Sequence, residues 1–196
     1  MKVFVVILVV VIVFAGVALI VVVNRGFSSR EQPTLVEETI ARTVRHLATP
    51  LAMRHARNPV PLTNDVLAEA RAHWADHCAT CHANDGSGNT EIGRNLYPRA
   101  PDMRSERTQD LTDGELFSII KNGVRLTGMP AWGDAAGHED ADNWKLVHFI
   151  RYLPKITPQE LEEMKSMNPV SPLETKEEKE EKQFLESGQA PPHHHH

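Results

Sequence analysis

What the chain lacks is informative first. It has only two cysteines in 196 residues, Cys78 and Cys81, which excludes a disulfide scaffold and any four-cysteine zinc site. It has no surplus of basic residues: 21 Lys and Arg stand against 26 Asp and Glu, for a net charge of −5. That balance argues against a nucleic-acid binder. It has one long apolar run and no second, and its mean hydropathy is still −0.35. Everything after the run is therefore strongly hydrophilic, which excludes a multispanning membrane protein and argues against a large all-protein core.

The averages conceal three unlike segments. Residues 1–59 carry a net +4, residues 60–154 a net −5 and residues 155–196 a net −4. Within the first, Val3 to Val23 is 21 residues without a polar side chain. At about 1.5 Å per residue it can cross a hydrocarbon core of about 30 Å as a helix. A cleaved signal peptide would have a shorter apolar region followed by a small-residue site. Here Ala15, Gly16 and Ala18 lie inside the run, and Asn24-Arg25-Gly26-Phe27 follows it. We therefore expect an uncleaved anchor over residues 1–24. Lys2 and the α-amine at one end, and Arg25 and Arg30 at the other, leave its orientation open.

Cys78-Ala79-Thr80-Cys81-His82 is a C-x-x-C-H sequence, the haem c attachment signature. Two thiols three residues apart on a helical turn can each form a thioether to one haem vinyl group. The adjacent histidine then lies under the iron as proximal ligand. A thioredoxin-type pair would sit near a βαβ pattern, which is not found here. Structural zinc would need further ligands, and there is no second cysteine pair. A low-spin haem takes a second axial ligand, and methionine raises the potential. Met103, Met129, Met164 and Met167 follow the motif. Met129 stands between Gly128 and Pro130, where glycine permits an unusual backbone and proline fixes the next φ. Such a rigid loop can hold a weak thioether at iron, so Met129 is preferred; Met103, also in an irregular stretch, is the rival.

The segment 64–154 resembles a class I c-type cytochrome, of the monohaem type related to c subunits of bacterial respiratory oxidases. After the attachment motif the matching stretches run in family order. They are Leu96-Tyr97-Pro98-Arg99-Ala100-Pro101-Asp102, Leu111 to Phe117, Ile120-Lys121-Asn122-Gly123, Gly128-Met129-Pro130-Ala131-Trp132 and Trp144 to Leu153. The resemblance implies an all-α fold, the class I cytochrome c fold around one haem held covalently by Cys78 and Cys81, here preceded by a single transmembrane helix. It implies His82 and Met129 as iron ligands. It also implies a proline carbonyl accepting from His82, with Pro98 and Pro101 both eligible. Tyr97 and Trp132 are expected either to bond a haem propionate or simply to pack. His73, His77, His138 and His148 lack ligand spacing and are expected to be surface or satisfied residues.

End signals agree independently. Thr63-Asn64-Asp65 can cap a helix running into the motif, and Thr112-Asp113-Gly114-Glu115 is a capping box for a helix closing at Gly123. Leu146, Phe149, Ile150 and Leu153 share a face of a helix from about Asp140 that Pro154 ends. We expect a haem domain over 62–154 and a linker over 25–61. The linker should contain one helix over 34–57, opened by the capping box Thr34-Leu35-Val36-Glu37. Leu35, Ile40, Val44, Leu47 and Leu51 form its partial stripe, and it is either a docking element or a solvated spacer. A short helix over 155–169 should follow Thr157-Pro158-Gln159-Glu160. Residues 170–196 read as a charged tail with little to bury, and His193–His196 as a native tract or a tag.

These readings describe a membrane-tethered electron-transfer cytochrome, not an enzyme, with no nucleic-acid or small-molecule partner. The resemblance puts its haem domain on the periplasmic side of a bacterial inner membrane, which fixes the orientation that charge left open. It also implies a quinol-oxidising complex and a terminal oxidase or another cytochrome as partners. The alternatives are a fixed haem c subunit of a larger respiratory complex, or a haem peroxidase or gas sensor.

Overall fold

A computed structural model describes residues 2–25 and 28–170, together with 182, 184 and 185. The expected charged tail, apart from those three positions, and the terminal histidines lie outside the described residues. Among the described residues there are helices and no strand. In chain order these are α1 (Lys2–Arg25), α2 (Leu35–Ala48), α3 (Leu51–Arg54), α4 (Asn64–His73), α5 (Ala79–His82), α6 (Glu91–Asn95), α7 (Glu106–Gln109), α8 (Asp113–Asn122), α9 (Asp140–Tyr152) and α10 (Pro158–Lys165). A π-helical turn, Trp74–Cys78, joins α4 to α5, and a 3₁₀ turn, Leu153–Lys155, follows α9.

α1 is the described helix long and apolar enough to span a bilayer, and none of its spanning window is buried against the rest of the chain. Helix starts elsewhere follow the chemistry of their caps. Thr34, Thr112 and Thr157 each accept from the amide of the glutamate three residues on, whose carboxylate returns to the threonine amide. Thr63 caps α4 through the amide of Val66.

The single linker helix expected over 34–57 is two. Pro50 has no amide to continue α2 and pushes the preceding residue out of the helical region. Thr49 is accordingly extended, at ψ 121°, and α3 restarts at Leu51.

The core lies where α4 and α9 cross, with α8 beside them. Trp74, Val147, Phe149, Leu146 and Leu153 are at most 2% exposed. Phe117 of α8 stacks on Trp144 of α9 at 4.2 Å between ring centroids. The short terminal helix joins this core: Met164 of α10 is fully buried, and Glu160 pairs with Arg71 of α4 at 3.1 Å. Asn168 holds the segment after α10, donating to the Ala75 carbonyl at 2.9 Å.

Candidate cofactor site

The motif is presented by a change of helical pitch. α4 is an ordinary helix, but from Trp74 to Cys78 the chain takes a π turn, closed by the Ala79 amide on the Trp74 carbonyl. A π turn shifts the register of every later side chain relative to the earlier face. Trp74 thereby stays in the core beneath the motif, its ring centroid 5.7 Å from that of His82. Its indole N–H donates to the Ala83 carbonyl at 3.0 Å.

The chain past His82 is fixed just as closely. Ala83 takes a positive φ of 62°, and the Gly88 amide returns to the His82 carbonyl at 2.8 Å. Thr90 caps α6 through the Gly93 amide, and its hydroxyl also donates to the Cys81 carbonyl. Gly93 lies so close to the motif that a Cβ there would sit 2.2 Å from the Cys81 carbonyl oxygen. The turn carrying both cysteines is thus backed by backbone on one side and Trp74 on the other.

The electrostatics suit a covalent haem rather than a reactive dithiol. Burial pushes the Cys78 thiol up to about 12, with Cys81 adding to it, and burial also raises Cys81. A nucleophilic cysteine or a thiolate ligand needs the opposite shift. His82 is 8% exposed, and burial pushes its pKa down to about 4, partly opposed by the Pro101 carbonyl. Its imidazole is therefore neutral, the form that binds a metal. Nδ1 of His82 is buried without a hydrogen bond of acceptable geometry, and Pro101 is the proline whose carbonyl acts on the ring. Among the described residues no three His, Cys, Asp or Glu side chains cluster to hold a bare metal ion. The donor set fits an iron held by a macrocycle: two thiols on one turn and one neutral, buried imidazole.

Met129 lies in the loop between α8 and α9. Its carbonyl accepts from the Val124 amide at 3.1 Å, and its amide donates to the Thr127 hydroxyl at 3.1 Å. The loop is tied down at its exit, where the Trp132 amide reaches the Ile120 carbonyl of α8. Asn143 of α9, 1% exposed, donates to the Trp132 carbonyl. The Trp132 ring lies 5.3 Å from that of His77, the residue before Cys78. Gly128 packs on Leu96, at a separation where a Cβ would come within 2.6 Å of Cδ2. Met103 is placed differently, packed against the core with its amide on the Gly86 carbonyl. Tyr97 is 37% exposed, and Pro98, joined to it by a cis bond, is also exposed.

Sequence reasoning missed the π turn, the Trp74 indole bond and the structural role of Asn143. The glycines at 86, 88 and 93 were the available signal that the chain after the motif approaches other backbone closely. The other histidines make ordinary contacts: His148 with the Val60 carbonyl, His138 with Asp134, and His73 edge-on to His77. A cavity of about 290 Å³ lies away from the motif between α2 and α8, lined by Arg42, Arg45, His46, Thr49, Leu111 and Glu115 among others. It belongs to the docking of the linker helix.

An all-helical domain built around a C-x-x-C-H turn with a buried neutral histidine is a monohaem c-type cytochrome domain, with haem c held covalently through Cys78 and Cys81. Residues 65–150 match the family model described as cytochrome C oxidase, cbb3-type, subunit III. A comparison with curated proteins gave no match. The chain therefore joins a c-type cytochrome domain, with its electron-transfer role, to an N-terminal apolar helix that fits membrane anchoring.

Proposed function

We propose that the protein is a membrane-tethered electron carrier with one low-spin haem c, ligated by His82 and Met129. The observation that carries the reading is the buried, neutral His82 directly after the cysteine pair. Bound there, haem c supplies one-electron chemistry between the ferrous and ferric states. Cys78 and Cys81 would hold the group, the neutral imidazole of His82 would bind its iron, and the Pro101 carbonyl would accept from the ring's other N–H. Pro98 is then left without this part. Met129, its backbone fixed by the Val124 and Thr127 bonds of its loop, would be the second residue to hold the iron. Trp132 and Tyr97 would be the residues available to bond its propionates. With both His82 and Met129 on the iron, no position would be left for a substrate, the chemistry of a carrier rather than an enzyme. α1 holds the domain on the periplasmic face of a bacterial inner membrane. The tether replaces diffusion in three dimensions by a high local concentration near membrane partners. Those partners are a quinol-oxidising complex as donor and a terminal oxidase or another cytochrome as acceptor.

A second reading, a fixed subunit of a respiratory oxidase, draws on the matched family being an oxidase subunit. Copurification of one stoichiometric partner in mild detergent supports that reading; a monodisperse single chain supports the carrier. The ligand pair is tested by the far-red band of methionine-ligated ferric haem. It should vanish in Met129→Ala and persist in Met103→Ala. Persistence in Met129→Ala overturns the assignment. Carbon monoxide binding to wild-type ferrous protein would support the sensor or peroxidase reading instead.

A further inference from the structure

We propose that α2 lies in the membrane–water interface, a helix pressed between the cytochrome domain and the lipid headgroups. Val36, Ile40, Val44 and Leu47 are 68, 59, 58 and 68% exposed. At 100° per residue they fall within an arc of about 80°. Glu38, Arg42, Arg45 and Thr49 lie on the opposite side, and that side is docked. Glu38 pairs with Arg107 of α7, and His46, near the edge of the same side, meets the buried Glu115 of α8 at 2.7 Å. Thr49 is buried. Behind α2, the Met53 carbonyl of α3 abuts Gly114 so closely that a Cβ there would lie 1.8 Å from it. The helix is therefore fixed to the cytochrome domain by its polar face, with its apolar face turned outward.

What covers that face follows from the chain. α1 ends at Arg25 and α2 begins at Leu35, so fully extended backbone lets them stand at most about 35 Å apart. The apolar face is thus held within reach of the surface from which α1 emerges, an inference that rests on α1 being the anchor. Outside the docked side, Arg25 and Arg30 lead from α1 into α2, putting positive charge where the chain leaves the anchor, which suits anionic headgroups. A helix with one apolar face, one polar face and a basic lead-in is the form that lies in an interface, with its apolar side about 5–10 Å into the headgroup boundary. This placement turns a flexible tether into a fixed orientation of the cytochrome domain over the membrane.

The test uses the full-length, haem-loaded protein in nanodiscs of phosphatidylethanolamine and phosphatidylglycerol, with single nitroxide labels at Ile40→Cys, Val44→Cys, Ile12→Cys and Arg57→Cys. Power saturation reads collisions with oxygen, which enters lipid, and with a water-soluble nickel chelate, which does not. Labels at 40 and 44 should favour oxygen over the chelate several-fold relative to 57, with the label at 12 more deeply immersed. Labels at 40 and 44 as open to the chelate as 57, with 12 immersed, overturn the inference and leave the anchor intact. An unimmersed label at 12 removes the anchor and the inference together. Protection at 40 and 44 by dipolar broadening between labels, without oxygen preference, overturns it in favour of a second copy of the chain. Protection in native membranes but not in nanodiscs overturns it in favour of a membrane protein partner.

Discussion

Gly93→Ala tests the claim that the motif is held by backbone packed directly on backbone. A Cβ at this position would lie 2.2 Å from the Cys81 carbonyl oxygen and 2.6 Å from that of Gly88. Ordinary C···O contacts begin at about 3.3 Å, so the first N-terminal turn of α6 must retreat by about 1 Å. Neither obstacle is a flexible side chain. Overpacking of a tight site costs about 1–3 kcal/mol, and two rigid obstacles put the cost at the upper end. For a domain of this size about 2–3 kcal/mol lowers Tm by roughly 10–20 °C. Displacement of α6 also breaks the Thr90 bond to the Cys81 carbonyl, which loosens the turn that must present both thiols. The assay is thermal unfolding of the haem-loaded protein by circular dichroism, together with the fraction of chains carrying covalent haem. Thr90→Ala removes both the cap and the bond to the Cys81 carbonyl without the collision and should cost about 1 kcal/mol, so the further loss in Gly93→Ala reads the collision itself. A Gly93→Ala protein with full haem loading and a Tm within about 2 °C of wild type refutes the reasoning.

Gly114→Ala should release α3, and α2 with it, because its Cβ would meet the Met53 carbonyl; limited proteolysis should then cut between 34 and 61 while the haem spectrum is unchanged. Met164→Ala should destabilise the domain by about 2–5 kcal/mol in chemical denaturation, since the side chain is fully buried although its helix is otherwise polar. Acidification should loosen the linker. Burial works to raise Glu115, but the Thr112 amide and hydroxyl and His46 outweigh it, and its folded-state pKa lies below the ordinary 4.5. A lowered carboxylate contributes stability that is complete above 4.5 and is lost as pH falls through the folded-state value. Proteolysis of the linker should accelerate over that range in wild type, and the acceleration should be absent in Glu115→Gln. Trp74→Phe should retain the core ring but lose the bond to the Ala83 carbonyl, costing about 1–2 kcal/mol in denaturant unfolding.

Much of the helical plan was legible because it rests on local chemistry. The three Thr-x-x-Glu boxes open α2, α8 and α10 as written, since a hydroxyl and a carboxylate three residues apart satisfy amides of their own turn. The end of α2 was misread although Pro50 was in view. The apolar periodicity through Leu47 and Leu51 continues across the break, and periodicity carries no information about a missing amide. The split also separates two roles: Ile40, Val44 and Leu47 of the expected stripe face outward, Leu35 falls on the other side of α2 and Leu51 opens α3, and the linker docks by its polar face. The burial of Met164 was not legible, because α10 is mostly acidic and charged, and its inward side chains, Met164 and Leu161, gain their value only from the core they meet on folding.

The amino-acid sequence alone determined the chemistry: two thiols and an imidazole on one turn, and an apolar segment long enough for a bilayer. These depend on spacing within a few residues, which the covalent chain sets. Only the tertiary structure decided the environment of those groups. Burial makes His82 neutral and Cys78 a poor nucleophile, and the backbone that reaches them depends on how α6 and the turn at Gly88 pack on the motif. Of the two prolines, Pro101 is the one whose carbonyl acts on the ring. Both prolines lie a similar distance along the chain from His82, and only the path of the folded backbone distinguishes them.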